Sequence, residues 1–280
     1  MEQEAWSATR AALADASHRC AELLKTVDDP DARAVGDWSV GDVAAHLIEV
    51  SVLNTLLATN APPPPEWAEV YGKAVTASMD QVKDMNALAL TVVRERAPEV
   101  LAVRLEEQVR QLLDGTATAD GSEQVEWLGG TKVPLRAVLG HTLSEVFVHG
   151  NDVARTTRRS FPLEPSAASL IFWMFLNELF RSPDLPTFAG SRGSQIRPVS
   201  VELRLRAGRW MTLVSTSEGI RVEDPTDVSP DVRITADPAA LWLVMSGRKS
   251  PVRAATNGGV IVWGRRPWRL RRLMEAVRTP

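Results

Sequence analysis

The chain has 280 residues, 44% of them apolar and 24% charged, which is room for two ordinary globular domains. A net charge of −3 argues against nucleic acid or an anionic membrane surface as the main partner. The single cysteine, Cys20, excludes an internal disulfide, so the fold does not depend on an oxidising compartment.

Residues 2–26 set Trp6, Leu13, Ala16, Cys20, Leu23 and Leu24 at helical spacing. Cys20 reads there as a small apolar filler, not a nucleophile. The acidic, amphipathic start has neither the basic nor the apolar region of a signal peptide. The longest apolar run, around Leu170 to Leu176, is too short to span a bilayer. The expected location is cytoplasmic. After a loop through Pro30 and Gly36, Ser39 with Asp42 three positions on marks a helix start. That helix is expected to run through His46 to about Ala58. Four prolines, 62–65, form a stiff extended connector. A third helix fits 66–96, and Pro98 opens a fourth that ends near Gly115. A polar loop, 116–123, follows. Gly129, Gly130 and Pro134 introduce a fifth helix reaching about Arg158, and a sixth fits 166–181.

The character changes after Ser182. Residues 183–198 hold three prolines and two glycines, the composition of a linker. The expected domains are therefore 1–182 and 183–280. Residues 199–206 alternate apolar and polar as a half-buried strand does. Further strands fit 210–215, 219–223, 232–235 and 260–263. Asp237-Pro238 caps a helix through Met245, and a last helix fits 268–277. The fold class is an α-helical N-terminal domain followed by a small α+β domain.

Chemistry concentrates on three of the four histidines. His141, Glu145 and His149 follow at steps of four on the fifth helix. Four residues of α-helix turn about 400°, so these side chains stack along one face, offset by about 40°. Glu145 and His149 can hold one ion together, and His46, in the middle of the second helix, is the natural third donor. Two imidazoles and one carboxylate leave an open position on zinc, the pattern of a catalytic site. The same donors suit nickel or iron. His141 competes with Glu145 for the third place, and an ordinary helix-face hydrogen bond between Glu145 and His149 fits the spacing as well. Asp152, three residues beyond His149, is placed either to orient its imidazole or as a solvated charge. Asp42, four before His46, permits the same reading more weakly.

Two segments carry a family resemblance. Trp38-Ser39-Val40-Gly41-Asp42-Val43-Ala44-Ala45-His46-Leu47 and Glu145-Val146-Phe147-Val148-His149-Gly150-Asn151-Asp152-Val153 resemble paired motifs of the mycothiol-dependent maleylpyruvate isomerase family, within the DinB-like superfamily. The stretch from Asp231 to Trp242, with Gly259 to Gly264 beyond it, is similar to that family's C-terminal segments. The resemblance covers nearly the whole chain. It implies an N-terminal DinB-like, metal-binding four-helix bundle and a C-terminal domain like sterol carrier protein 2 (SCP2-like). It implies His46, Glu145 and His149 as ligands of Zn2+ or another divalent metal. Asp152 matches the trailing aspartate, whose role is left open; His141 has no counterpart, which keeps the third ligand open.

The function so implied is attack by a zinc-held thiolate of mycothiol, the low-molecular-weight thiol of actinobacteria, on a small electrophile. The outcome is either cis–trans isomerisation or S-transfer. The alternative is a non-enzymatic protein that binds or sequesters a small molecule. Partners on this reading are the electrophile and the thiol, with no nucleic acid and no membrane. Arg265, Arg266, Arg269, Arg271 and Arg272 read as a solvated face or as carboxylate ligands in a pocket between the domains. Trp173, Trp242, Trp263 and Trp268 read as core. Trp38 reads as a staple before the second helix, with a substrate-wall role second.

Overall fold

The computed structural model describes residues 2–185, 199–208, 210–216, 219–223 and 230–271. Four long helices form the N-terminal part: α1 (Glu2–Leu24), α2 (Val40–Thr59), α5 (Pro98–Gly115) and α6 (Leu135–Thr156). α1 and α2 each pack against both α5 and α6. The start of α2 is fixed by Ser39 and Asp42. The Ser39 hydroxyl accepts from Asp42 N at 3.1 Å, and Ser39 N donates to Asp42 Oδ2 at 3.0 Å, so two orphan backbone donors are satisfied. α2 is long and apolar enough to cross a bilayer, but 83% of that stretch is buried inside the protein. It is apolar all round because it is a central helix. α6 is the other: 17 of its 22 residues are buried. Gly140 on α6 lets the following helix approach, since a Cβ there would meet Met174 Cβ and Phe175 N at 2.9 Å.

That neighbour is one continuous helix, α7 (Pro165–Leu170), a π-helical turn (Ile171–Leu176) and α8 (Asn177–Arg181). The extra residue per turn carries Phe175 toward α6, and π-turns of this kind recur at functional sites. The single helix expected over 66–96 is broken. It comprises a short turn (Pro65–Trp67), α3 (Ala68–Ala74), a second turn (Met79–Gln81) and α4 (Val82–Val92). Ser78 caps the second turn, its backbone N–H donating to Gln81 Oε1 at 2.9 Å, and this local capping outcompetes helix continuation. Two small antiparallel ribbons were not expected either: β1 (Arg33–Val35) with β2 (Trp38–Ser39), and β3 (Gln124–Glu126) with β4 (Lys132–Pro134).

The C-terminal part is a five-stranded sheet of β5 (Val199–Leu205), β6 (Trp210–Thr216), β7 (Gly219–Glu223), β8 (Val232–Ala236) and β9 (Val260–Trp263), in the order β7-β6-β5-β8-β9. Only the β5–β8 pair is parallel. α9 (Pro238–Met245) is capped by Asp237, and a short α10 (Pro251–Thr256), not expected from the sequence, precedes β9. Trp242 of α9 packs edge-on against Phe172 and Phe175, ring centroids 5.3 and 6.3 Å apart. The helical part and the sheet part thus share apolar contacts. Trp242 is core, as expected, but Trp263 is 42% and Trp268 71% exposed. β9 is an edge strand, and the Arg233 and Arg204 guanidinium groups cover the Trp263 ring at 5.0 and 5.7 Å. Most of the expected linker, and of the expected last helix, lies outside the described residues; a helical turn at Pro267–Arg269 opens the latter region.

Candidate metal centre

The two central helices bring His46, Glu145 and His149 together. One ligand-type atom from each lies within 4.8 Å of the others. Glu145 Oε2 stands 3.3 Å from His46 Nε2 and 3.4 Å from His149 Nε2. The opposite ring nitrogens are both engaged by carboxylates: His46 Nδ1 with Glu49 Oε2 at 2.8 Å, and His149 Nδ1 with Asp152 Oδ2 at 3.2 Å. An ionised carboxylate only accepts, so each Nδ1 carries the proton and each neutral ring turns an Nε2 lone pair toward Glu145. Lone pairs from three groups then face one another. Such a cluster needs a cation, either a proton or a metal ion. Zinc with bonds of about 2.0–2.1 Å in tetrahedral geometry sets its ligand atoms about 3.3–3.4 Å apart, which is the observed separation from Glu145.

In the absence of metal the cation is a proton on His46. Burial alone would push its pKa down, but Glu49 and Glu145 outweigh it and raise it from 6.5 to about 10. Burial also opposes ionisation of Glu145. The neighbouring His149 and His46 nevertheless hold that carboxyl well below its ordinary value. Burial raises the pKa of Glu49, whose Oε1 is buried and has no hydrogen-bond partner among the described residues.

His141 lies beside this cluster, its Nε2 3.5 Å from Glu145 Oε1 and its Nδ1 3.1 Å from Asn54 Nδ2. Burial, reinforced by charge on His46, holds its pKa below 6.5 against the pull of Glu145. Asp152 is fully buried and reaches three cationic or proton-bearing groups: His149, Arg248 Nη2 at 3.0 Å and Arg155 Nη2 at 3.5 Å. The solvated-charge alternative for Asp152 is therefore set aside. Asp42 does not turn toward His46. Its carboxylate caps α2 and pairs with Arg96 Nε at 2.8 Å. Arg266 and Arg269 pair with Asp231, Arg272 lies outside the described residues, and among the described residues none of Arg265, Arg266, Arg269 and Arg271 lines the cavity at this centre.

That cavity, of about 830 Å³, is lined by His46, Glu49, Asn54, His141, Glu145 and His149 from the helical part and by Trp242, Met245 and Arg248 from the sheet part. Trp38 forms another wall, its ring centroid 4.8 Å from that of His46 and 6.2 Å from that of His149. Three contributors go unmarked in the sequence reading. Glu49 sits at i+3 from His46, the same face rule that links Glu145 to His149, and could have been found by it. Asn54 and Arg248 reach the centre only through tertiary folding.

Residues 10–154 match the model of the mycothiol maleylpyruvate isomerase N-terminal domain, just over half of the chain. The chain belongs to the mycothiol maleylpyruvate isomerase family. The matched stretch contains His46, Glu49, Asn54, His141, Glu145, His149 and Asp152 and stops short of Arg248. Two solved structures are similar to this family member. One, a crystal structure of the mycothiol-dependent maleylpyruvate isomerase, is 17% identical over 94% of this chain and 92% of that chain, with a TM-score of 0.48. The other, a histidine-to-alanine variant of that enzyme, is 16% identical over the same shares, again at 0.48. No curated protein matches the chain.

Proposed function

We propose that this chain is a metal-dependent cis–trans isomerase that uses a low-molecular-weight thiol, mycothiol, on a small electrophilic alkene. His46, Glu145 and His149 would hold one divalent ion, zinc first by donor type. The carrying observation is the convergence of two imidazole Nε2 atoms on Glu145 Oε2, with both Nδ1 protons claimed by buried carboxylates, at the wall of a cavity that both parts of the chain line. A bound divalent ion in such a site supplies Lewis acidity, which lowers the pKa of a thiol and keeps it nucleophilic at neutral pH.

The chain's own groups do the rest. Glu49 and Asp152 keep the imidazoles in the Nε2-ligating tautomer. Trp38 shields the two rings from solvent. Lys83 brings positive charge to the cavity wall, which suits an anionic electrophile such as the maleylpyruvate that the family is named for. We read residues 1–182 as a DinB-like bundle and 183–280 as an SCP2-like domain that closes the cavity.

The test begins with metal content of the full chain beside His149→Ala. One ion per chain in the parent and little in the variant supports the centre. Conversion of maleylpyruvate is then followed with and without mycothiol. Thiol-dependent formation of the trans product supports the isomerase; a stable S-conjugate makes the protein an S-transferase instead. Absence of any stoichiometric metal after reconstitution at neutral pH would leave a small-molecule binder and overturn the proposal.

A further inference from the structure

Glu145 has two carboxylate oxygens, and they face different neighbours. Oε2 faces His46 and His149, whereas Oε1 faces His141 Nε2 at 3.5 Å. What His141 offers to Oε1 depends on which ring nitrogen carries its proton. The hydrogen bonds behind the ring decide this. Thr142 Oγ1 lies 2.9 Å from the carbonyl oxygen of Val138; a carbonyl only accepts, so the threonine proton is spent there. Thr142 Oγ1 can then only accept from Asn54, 2.9 Å away, which places the NH2 end of the amide against it. The same Asn54 nitrogen lies 3.1 Å from His141 Nδ1. Its second proton goes to Nδ1, which must therefore be a lone pair. A neutral ring so held carries its proton on Nε2. The ring is packed in place, with Trp127 and Phe175 at 4.9 and 5.0 Å between centroids, and Asn54, His141 and Thr142 are all buried.

We infer that His141 is a positioning residue for Glu145 and not a metal ligand: its Nε2–H is directed at Oε1, which leaves Oε2 to the two imidazoles. At 3.5 Å this is a charge–dipole contact at the outer limit of hydrogen-bond length. Its effect is to keep Glu145 a one-oxygen donor. A carboxylate free to use both oxygens would take a second position on the ion, the one a thiol or substrate needs. The inference rests on the metal-centre reading proposed above.

The test uses the full chain loaded with cobalt(II), whose visible absorption weakens as coordination number rises. It is combined with nitrogen-15 NMR of the His141 ring in metal-free and zinc-loaded samples. The expected result is an Nε2–H tautomer in both. His141→Ala should still take one ion per chain, bind it about 10–100-fold more weakly, and show weaker cobalt absorption. Asn54→Asp supplies a carboxylate that accepts from Nδ1, turns the tautomer, and should repeat the cobalt change with His141 in place. A role in packing alone predicts no such change. An Nδ1–H tautomer in the parent overturns the inference. So does loss of metal in His141→Ala as complete as in His149→Ala. A parent chain that takes no metal removes the functional proposal, and the tautomer in that same sample still decides the role of His141.

Discussion

Glu49→Gln separates the two cations that the centre can hold. In the metal-free protein the proton on His46 is retained to a pKa of about 10, because Glu49 and Glu145 outweigh the burial that would otherwise expel it. A metal that binds Nε2 must displace that proton. Between pH 7 and 9 the apparent metal affinity should therefore rise about tenfold per pH unit from this residue, or roughly 2.7 kcal/mol over the two units. Gln keeps a hydrogen-bond acceptor 2.8 Å from Nδ1 and removes the charge. Burial then has the larger influence, the His46 pKa falls, and the slope over pH 7–9 should shrink to about threefold in total or less. Competition with a chelator of known protonation, or proton release measured by calorimetry in two buffers, gives the slope. The same reasoning fixes the sign for stability without metal. A histidine with a raised folded pKa stabilises fully below its unfolded value of 6.5, and that contribution is lost as pH rises toward 10. The melting temperature of metal-free parent should fall over this interval, and that of Glu49→Gln should fall less. Equal slopes in the two proteins would refute the assignment of the proton to the His46–Glu49 pair.

Arg248→Ala removes one of three partners from a fully buried carboxylate. It should cost about 1.5–3 kcal/mol in urea unfolding, the range for hydrogen bonds to charged groups. The Asp152 pKa lies below 3.8, because bonds from His149 and Arg248 outweigh its burial. The stability it confers is thus present above 3.8 and lost as pH falls through its folded value, and the parent should lose it in acid more than Arg248→Ala does. Gly140→Ala puts a methyl against Met174 and the Phe175 backbone and should destabilise by about 1–3 kcal/mol, read as a lower urea midpoint. Cys20 is fully buried and its thiol is pushed up to about 12 by burial; a thiol reagent at pH 8 should label it only at the rate of unfolding.

Local chemistry was legible in the sequence and tertiary chemistry was not. The Ser39–Asp42 cap, the stacking of Glu145 over His149, and Asp152 behind His149 all follow from spacing within one helix. His46 follows from no spacing rule; it lies on another helix and is tied to them only through the family motif around Trp38–Leu47. The break at Ser78 escaped because apolar periodicity continues across it, while one cap suffices to end a helix. Trp263 and Trp268 misled for the opposite reason. Their neighbours look like core, yet Trp263 lies on an edge strand that offers one face to arginines and solvent, and Trp268 lies exposed on the helical turn Pro267–Arg269. Arg248 follows a glycine turn at the end of α9 with nothing in its surroundings to mark it; its role exists only because that turn meets α6.

This division has a consequence for how the two parts cooperate. Every proposed ligand, and both carboxylates that orient the imidazoles, lie within residues 10–154. The helical part therefore holds a complete donor set of its own. Among the described residues the sheet part adds no proposed ligand; it adds Arg248 to Asp152, and through Asp152 a hold on the Nδ1 proton of His149. It also adds Trp242 and Met245 to the cavity wall. A metal site needs a cation-ready cluster, but a reaction needs that cluster walled from water and its ligands fixed in direction. On this structure the first requirement is met by packing two apolar helices face to face, and the second by Glu49, Asp152 and Trp38 of the helical part together with Trp242, Met245 and Arg248, which lie on the helix Pro238–Met245 and the turn after it. Substitutions in the sheet part are thus expected to alter turnover and thiol affinity while leaving one metal per chain, and substitutions at His46, Glu145 or His149 to remove both together.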